Sequence, residues 1–203
     1  MGGDPVSSRL PVTVALTGAS GAPYGVRLLG ALDALRVPVH LVISATGWRL
    51  LDEESGIRDE AALRAATGDW SRVTLYSDTD RGATPASGSA SSAGMVICPC
   101  SMGTLASIAQ GTTRSLIERA ADVTLKERRR LVLVPRETPY SAIHLENMLR
   151  LTRAGAVVLP ASPGFYHRPV RIEQLVDFVV GRVLSQLGLE HAIGPRWQSG
   201  EPD

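Results

Sequence analysis

The sequence predicts a doubly wound α/β fold, with a mainly parallel sheet and helices on both of its faces. Three observations carry that prediction: short β-branched runs recur between helical patterns, the runs are continuously apolar rather than alternating, and small-residue turns follow two of them. A strand covered by helices on both faces buries every side chain, so it loses the two-residue alternation of a half-exposed strand.

In chain order, the strand runs are residues 12–16, 39–43, 95–98, 131–134 and 157–159, with a weaker one at 73–76. Val26, Leu29 and Leu32 recur at helical spacing after the first run. Ile143, Met148 and Leu151 predict a helix with a broad buried face that ends near Gly155, a C-cap glycine. Residues 171–187 form the last amphipathic helix. The Gly-, Ser-, Ala- and Pro-rich segment 82–94 is the longest loop, and the tail after Leu189 reads as irregular. With no internal repeat or linker, the chain reads as one domain, 1–203, with a core at about 12–188.

The 203 residues, 44% apolar and 20% charged, suit one domain with a sizeable core. A formal charge of +1 creates no field that would favour nucleic acid or a membrane surface. The basic run 126–130 reads as a solvated helix end before a strand. No stretch approaches the roughly 18 apolar residues of a spanning helix, and the start lacks a signal-peptide pattern, so a cytoplasmic protein is expected. Cys98 and Cys100 flank one proline, a spacing unlike redox or zinc motifs, and read as reduced core residues. His40, His144, His167 and His191 are scattered, and none pairs at i, i+4, so no metal site is expected.

The first run leads into Thr17-Gly18-Ala19-Ser20-Gly21-Ala22-Pro23-Tyr24-Gly25, the strand-to-helix turn where such sheets bind phosphate on helix N–H groups. The loop lacks the Lys-Ser/Thr of a nucleoside triphosphatase, and its glycine spacing departs from GxGxxG. A dinucleotide site places an acidic residue at the end of the second strand; here that position is Ser44. A mononucleotide is the better fit, with Ser44 placed to bond a phosphate or ribityl oxygen. A short-chain dehydrogenase would need Tyr-x-x-x-Lys, and no tyrosine of the chain is followed by lysine at that spacing. The run at 95–98 leads into Cys100-Ser101-Met102-Gly103-Thr104, a second small-residue turn that opens a helix on the same rim.

The segments LTGASGAPYGVRLL, PASGS, ICPCSMGTLASIAQG, LIERAADVTLKERRRLVLVPRETPYSAIHLENMLRL and GAVVLPASPGFYHRP together resemble the UbiX-type flavin prenyltransferases, over about residues 12–188. The resemblance implies a Rossmann-like flavoprotein that joins the dimethylallyl group of dimethylallyl phosphate to N5 and C6 of reduced FMN, without a metal. The prenylated FMN would serve a UbiD-type decarboxylase, and the chain would assemble into large homo-oligomers, often dodecamers, whose pockets neighbouring subunits complete. By motif, Gly18, Ala19, Ser20, Ser44, Ser101, Met102, Gly103, Thr104 and Arg136 would hold FMN. Lys126, Tyr166 and Arg182 would bind dimethylallyl phosphate, and Ser20, Glu54, Arg119 and Glu137 would be the catalytic groups.

This chemistry suits those residue types. Breaking an allylic C–O bond without magnesium needs fixed cations on the departing phosphate, which Lys126, Arg119 and Arg182 supply. Tyr166 adds a hydrogen bond, and Glu137 with Ser20 would relay a proton near N5. His144 and Asn147 read as helix-holding residues. The family often carries a tryptophan shortly before PASGS; this chain has Arg81 in that stretch, and neither Trp48 nor Trp70 is an obvious substitute. A cysteine-decarboxylating flavoprotein would need an early catalytic histidine, but His40 lies inside the second strand run. A non-catalytic FMN carrier is the third reading.

Overall fold

The computed structural model describes residues 10–194. Its elements are β1 (Val12–Leu16), α1 (Ala22–Ala34), β2 (Val39–Ile43), α2 (Ala45–Ser55), α3 (Glu60–Thr67), β3 (Val73–Ser77), β4 (Gly94–Cys100), α4 (Met102–Ala109), α5 (Leu116–Lys126), β5 (Leu131–Pro135), α6 (Ala142–Arg153), β6 (Val157–Val158) and α7 (Ile172–Gln186). All six strands are parallel, in the order β3-β2-β1-β4-β5-β6. The doubly wound fold read from the sequence is therefore the fold observed, and the weak run at 73–76 is its edge strand. The order reverses between β1 and β4, which opens a crevice at their C-terminal ends.

Successive strand residues point to opposite faces and build two cores. Val12, Val14 and Leu16 of β1, with Val96 and Cys98 of β4, pack under α1, α2, α3 and α7. Ala15, Met95, Ile97 and Cys100 pack under α4, α5 and α6. A register irregularity between Ile97 and Cys100 breaks the alternation, so Cys98 joins the first core and Cys100 the second; both are free and buried, and burial pushes both thiols above their ordinary range.

Two expectations change. Ile143, expected on the buried face of its helix, is 68% exposed; burial on α6 begins one turn later, at Asn147 and Leu151. The basic run is only partly solvated: Arg129 donates to the carbonyls of Gly88 and Ala90, and Arg130 to that of Gln186. Gly155 does follow α6 with φ +100°, as a helix-stopping glycine should. From Leu189 to Gly194 the tail forms no helix or strand, and residues 195–203 lie outside the described part.

Candidate functional site

Because β1, β2 and β4 are parallel neighbours, the segments after Leu16, Ile43 and Cys100 emerge on one rim. Thr17 ties two of them together: its hydroxyl donates to the carbonyl of Pro99 at 3.0 Å and accepts from the N–H of Ser101 at 2.8 Å. Thr17 is 2% exposed, so its hydroxyl is shielded from water. Thr17→Val should cost about 1–3 kcal/mol by leaving the Ser101 N–H unpaired. It should lower the melting temperature and weaken FMN binding together, read by thermal denaturation and flavin fluorescence titration.

Two helices open on this rim through serine caps. Ser44 Oγ accepts from Gly47 N–H at 3.0 Å and lies 3.1 Å from Thr46 Oγ1; Ser101 Oγ accepts from Thr104 N–H at 3.2 Å and lies 2.9 Å from Thr104 Oγ1. Helix geometry directs the preceding N–H groups, Ala45 and Thr46 on α2 and Met102 and Gly103 on α4, toward the rim with partial positive charge. Gly18 is required by packing, since a Cβ there would fall 2.5 Å from Thr46 Oγ1. Gly103 is different: a Cβ there would meet only Ser101 Oγ, at 4.0 Å, so the glycine leaves bare backbone facing open space. Hydroxyls, oriented N–H groups and bare backbone beside a topological switch fit a flavin mononucleotide.

The third N-terminus on the rim, that of α1, already has its anion. Glu54 Oε2 accepts from the N–H groups of Gly21 at 2.8 Å and Ala22 at 2.7 Å, which corrects the expectation that the first glycine loop offers its helix N–H groups to phosphate. Partial burial raises the Glu54 carboxyl's pKa, but the Ser20 hydroxyl, the two N–H groups and the nearby Arg136 outweigh it and leave the pKa lowered. Arg136, just beyond β5, also donates to the carbonyl of Ser20 at 3.3 Å. Ser20, Glu54 and Arg136 thus form one polar group on the rim. Glu137 follows Arg136 and is half-buried; its carboxylate accepts from Thr138 N–H at 3.0 Å.

The remaining charged residues split between layers. Tyr166 and Arg182 line one cavity of about 520 Å³ beside α7, together with Phe178, Ser185 and His191. Tyr166 meets Phe178 edge-on at 5.9 Å between ring centroids. Arg119 and Lys126 are on α5, in the layer on the other face of the sheet, where Arg119 bridges Asp122 at 3.1 Å and Lys126 pairs with Glu127. Lys126 ends α5 five residues before β5 begins, so it lies toward the N-terminal edge of the sheet rather than the rim. One chain therefore brings the two serine-capped turns to the same rim as Ser20, Glu54 and Arg136, and holds Tyr166 with Arg182, but keeps Lys126 and Arg119 apart from that pair.

Other residues singled out from sequence have structural places. His144 reciprocates the Ser141 cap of α6, and buried Asn147 accepts from Gln110 at 3.2 Å. His40 packs edge-on against Tyr76, and burial lowers its pKa. Trp70 is buried and bonds Thr67, Trp48 packs on the α1 face, and Arg81 is exposed. Thr17 and Thr46 were not singled out, although both adjoin residues that were. Ser185 and His191 gave no signal, since a serine on a helix and a histidine in a tail are ordinary. Among the described residues, no group of three or more His, Cys, Asp or Glu could hold a metal, and no helix is long and apolar enough to cross a membrane.

A family model described as Flavoprotein matches residues 6–184. The flavin prenyltransferase UbiX of Pseudomonas aeruginosa is 50% identical over 194 residues, covering 92% of this chain and 93% of that protein. Among solved structures, AnUbiX (PadA1) in complex with FMN and dimethylallyl pyrophosphate superposes with a TM-score of 0.88 at 45% identity, covering 95% of this chain and 100% of the other. A dodecameric FMN-dependent UbiX-like decarboxylase from Escherichia coli O157:H7 gives 0.87 at 45% identity, covering 94% and 100%.

Proposed function

The chain belongs to the UbiX-type flavin prenyltransferases, and from that premise we propose that it joins the dimethylallyl group of dimethylallyl phosphate to N5 and C6 of reduced FMN, without a divalent metal. The observation that carries this reading is the rim at the β1/β4 switch, where two serine-capped helix N-termini stand beside the Ser20, Glu54 and Arg136 group. Bound reduced FMN supplies nucleophilic N5 and C6 and an aromatic face that shields an allyl cation.

The chain's own residues do the rest. Gly18, Ala19, Ser44, Ser101, Met102, Gly103, Thr104 and Arg136 hold the flavin through hydroxyls, N–H groups and one guanidinium. Lys126, Arg119, Arg182 and Tyr166 hold the donor phosphate and stabilise the charge it gains as the C–O bond breaks. Glu137 takes up a proton near N5 through the Ser20 hydroxyl, which only relays it, the departing phosphate is the second base, and Glu54 orients the Ser20 hydroxyl. The layer separation of Lys126 and Arg119 from Tyr166 and Arg182 favours a donor site drawn from two copies of the chain, in a homo-oligomer that is a dodecamer in this reading. Its place is the cytoplasm, where flavin is kept reduced, and its product passes to a UbiD-type decarboxylase.

Anaerobic incubation with reduced FMN and dimethylallyl phosphate should yield a flavin heavier by a five-carbon unit, read by mass spectrometry. Bound FMN with no such adduct, beside a working control enzyme, would instead identify a flavin carrier.

A further inference from the structure

Arg129 lies three residues past α5 and turns inward. Its Nη1 donates to the carbonyl of Ala90 at 2.8 Å and its Nη2 to that of Gly88 at 2.7 Å. Gly88 is the glycine of the PASGS turn and Ala90 follows that turn directly, and a planar guanidinium spans two carbonyls at once where an ammonium holds one. Arg129 is itself fixed, because its N–H donates to the carbonyl of Thr124 at 2.9 Å and so closes the end of α5.

The loop is pressed onto the same helix end that carries Lys126. A Cβ on Gly88 would lie 2.5 Å from Glu127 Oε1 and 3.0 Å from Lys126 Nζ. The paired Lys126 ammonium and Glu127 carboxylate therefore both abut a loop backbone whose position Arg129 sets. Without that clamp the loop is free to withdraw, and the lysine keeps only Glu127 to direct it.

We infer that Arg129 is a positioning residue for the donor phosphate: by clamping Gly88 and Ala90 against the end of α5 it fixes where Lys126 presents its charge. This rests on the reading of Lys126 as a phosphate-binding group. Misplacing a binding group by an ångström is costly, and a binding loss confined to one substrate raises its KM alone.

The test is anaerobic steady-state kinetics with both substrates varied, on the full chain and on Arg129→Ala, Arg129→Lys, Gly88→Ala and Lys126→Ala. Arg129→Ala should raise the KM for dimethylallyl phosphate about tenfold, leaving kcat and the KM for reduced FMN little changed, with Arg129→Lys in between. Gly88→Ala keeps the arginine yet crowds the same contact, and should show the same selective rise. If Lys126→Ala raises the donor KM while the Arg129 and Gly88 variants do not, the inference fails and the phosphate site stands. A parallel fall in FMN affinity, kcat and melting temperature in the Arg129 variants would also overturn it, as the mark of a merely structural anchor. A donor KM unmoved by Lys126→Ala would remove the phosphate reading, and the inference with it.

Discussion

Glu137→Gln should slow formation of the prenylated flavin by about 10²–10⁴, the range a positioned proton-transfer group contributes. FMN should still bind. Glu137 is the second residue past β5, beside the Arg136 that reaches Ser20 on the rim. Among the described residues its carboxylate makes no ion pair with Arg136 or Arg119, and its one hydrogen bond comes from the adjacent Thr138 N–H. That leaves the second oxygen available as a base. Glutamine keeps the size and one acceptor but has no proton affinity in this range, so binding and chemistry separate. Anaerobic single-turnover rates, paired with flavin titration, read the two. A normal rate in the glutamine variant would remove Glu137 from the chemistry.

The second large effect is complementation between inactive chains. Lys126→Ala and Arg182→Ala should each strongly reduce donor use, because each removes a fixed cation from a phosphate that no metal neutralises. Lys126 ends α5 in one layer of the fold, and Arg182 lies on α7 in the other. If the donor site takes Lys126 from one chain and Arg182 from a second, co-expressing the two variants rebuilds some intact sites. With random mixing in equal amounts, about one quarter of the sites would hold both cations. Activity near that fraction of the unmodified enzyme is the expected result, measured on the co-purified mixed oligomer. Co-expressed chains no more active than either variant alone would mean that each site draws both groups from one chain.

The strands were legible because a buried parallel strand announces itself as a continuous apolar run; β1 and β2 have the bounds that the sequence predicts. The short helices α2 and α3 were not read. Their caps, Ser44 with Gly56 and Asp59 with Gly68, are plain in the sequence, but each helix is short and buries only two residues. Ile143 was misplaced for the opposite reason: its spacing is helical, but spacing alone does not say which of a helix's apolar residues are covered.

By itself the sequence determined the doubly wound fold, the family and the short segments that carry polar groups, because each of these is written in local order and spacing. Tertiary structure alone decided how those groups meet. Glu54, more than thirty residues from the glycine loop, takes the α1 N-terminus, and Thr17 joins the first loop to the Ser101 turn. It also sent Lys126 and Arg182 to opposite layers. Hydrogen bonds and ion pairs depend on distances of a few ångströms, and those are set by which strand lies beside which and by the face each helix covers.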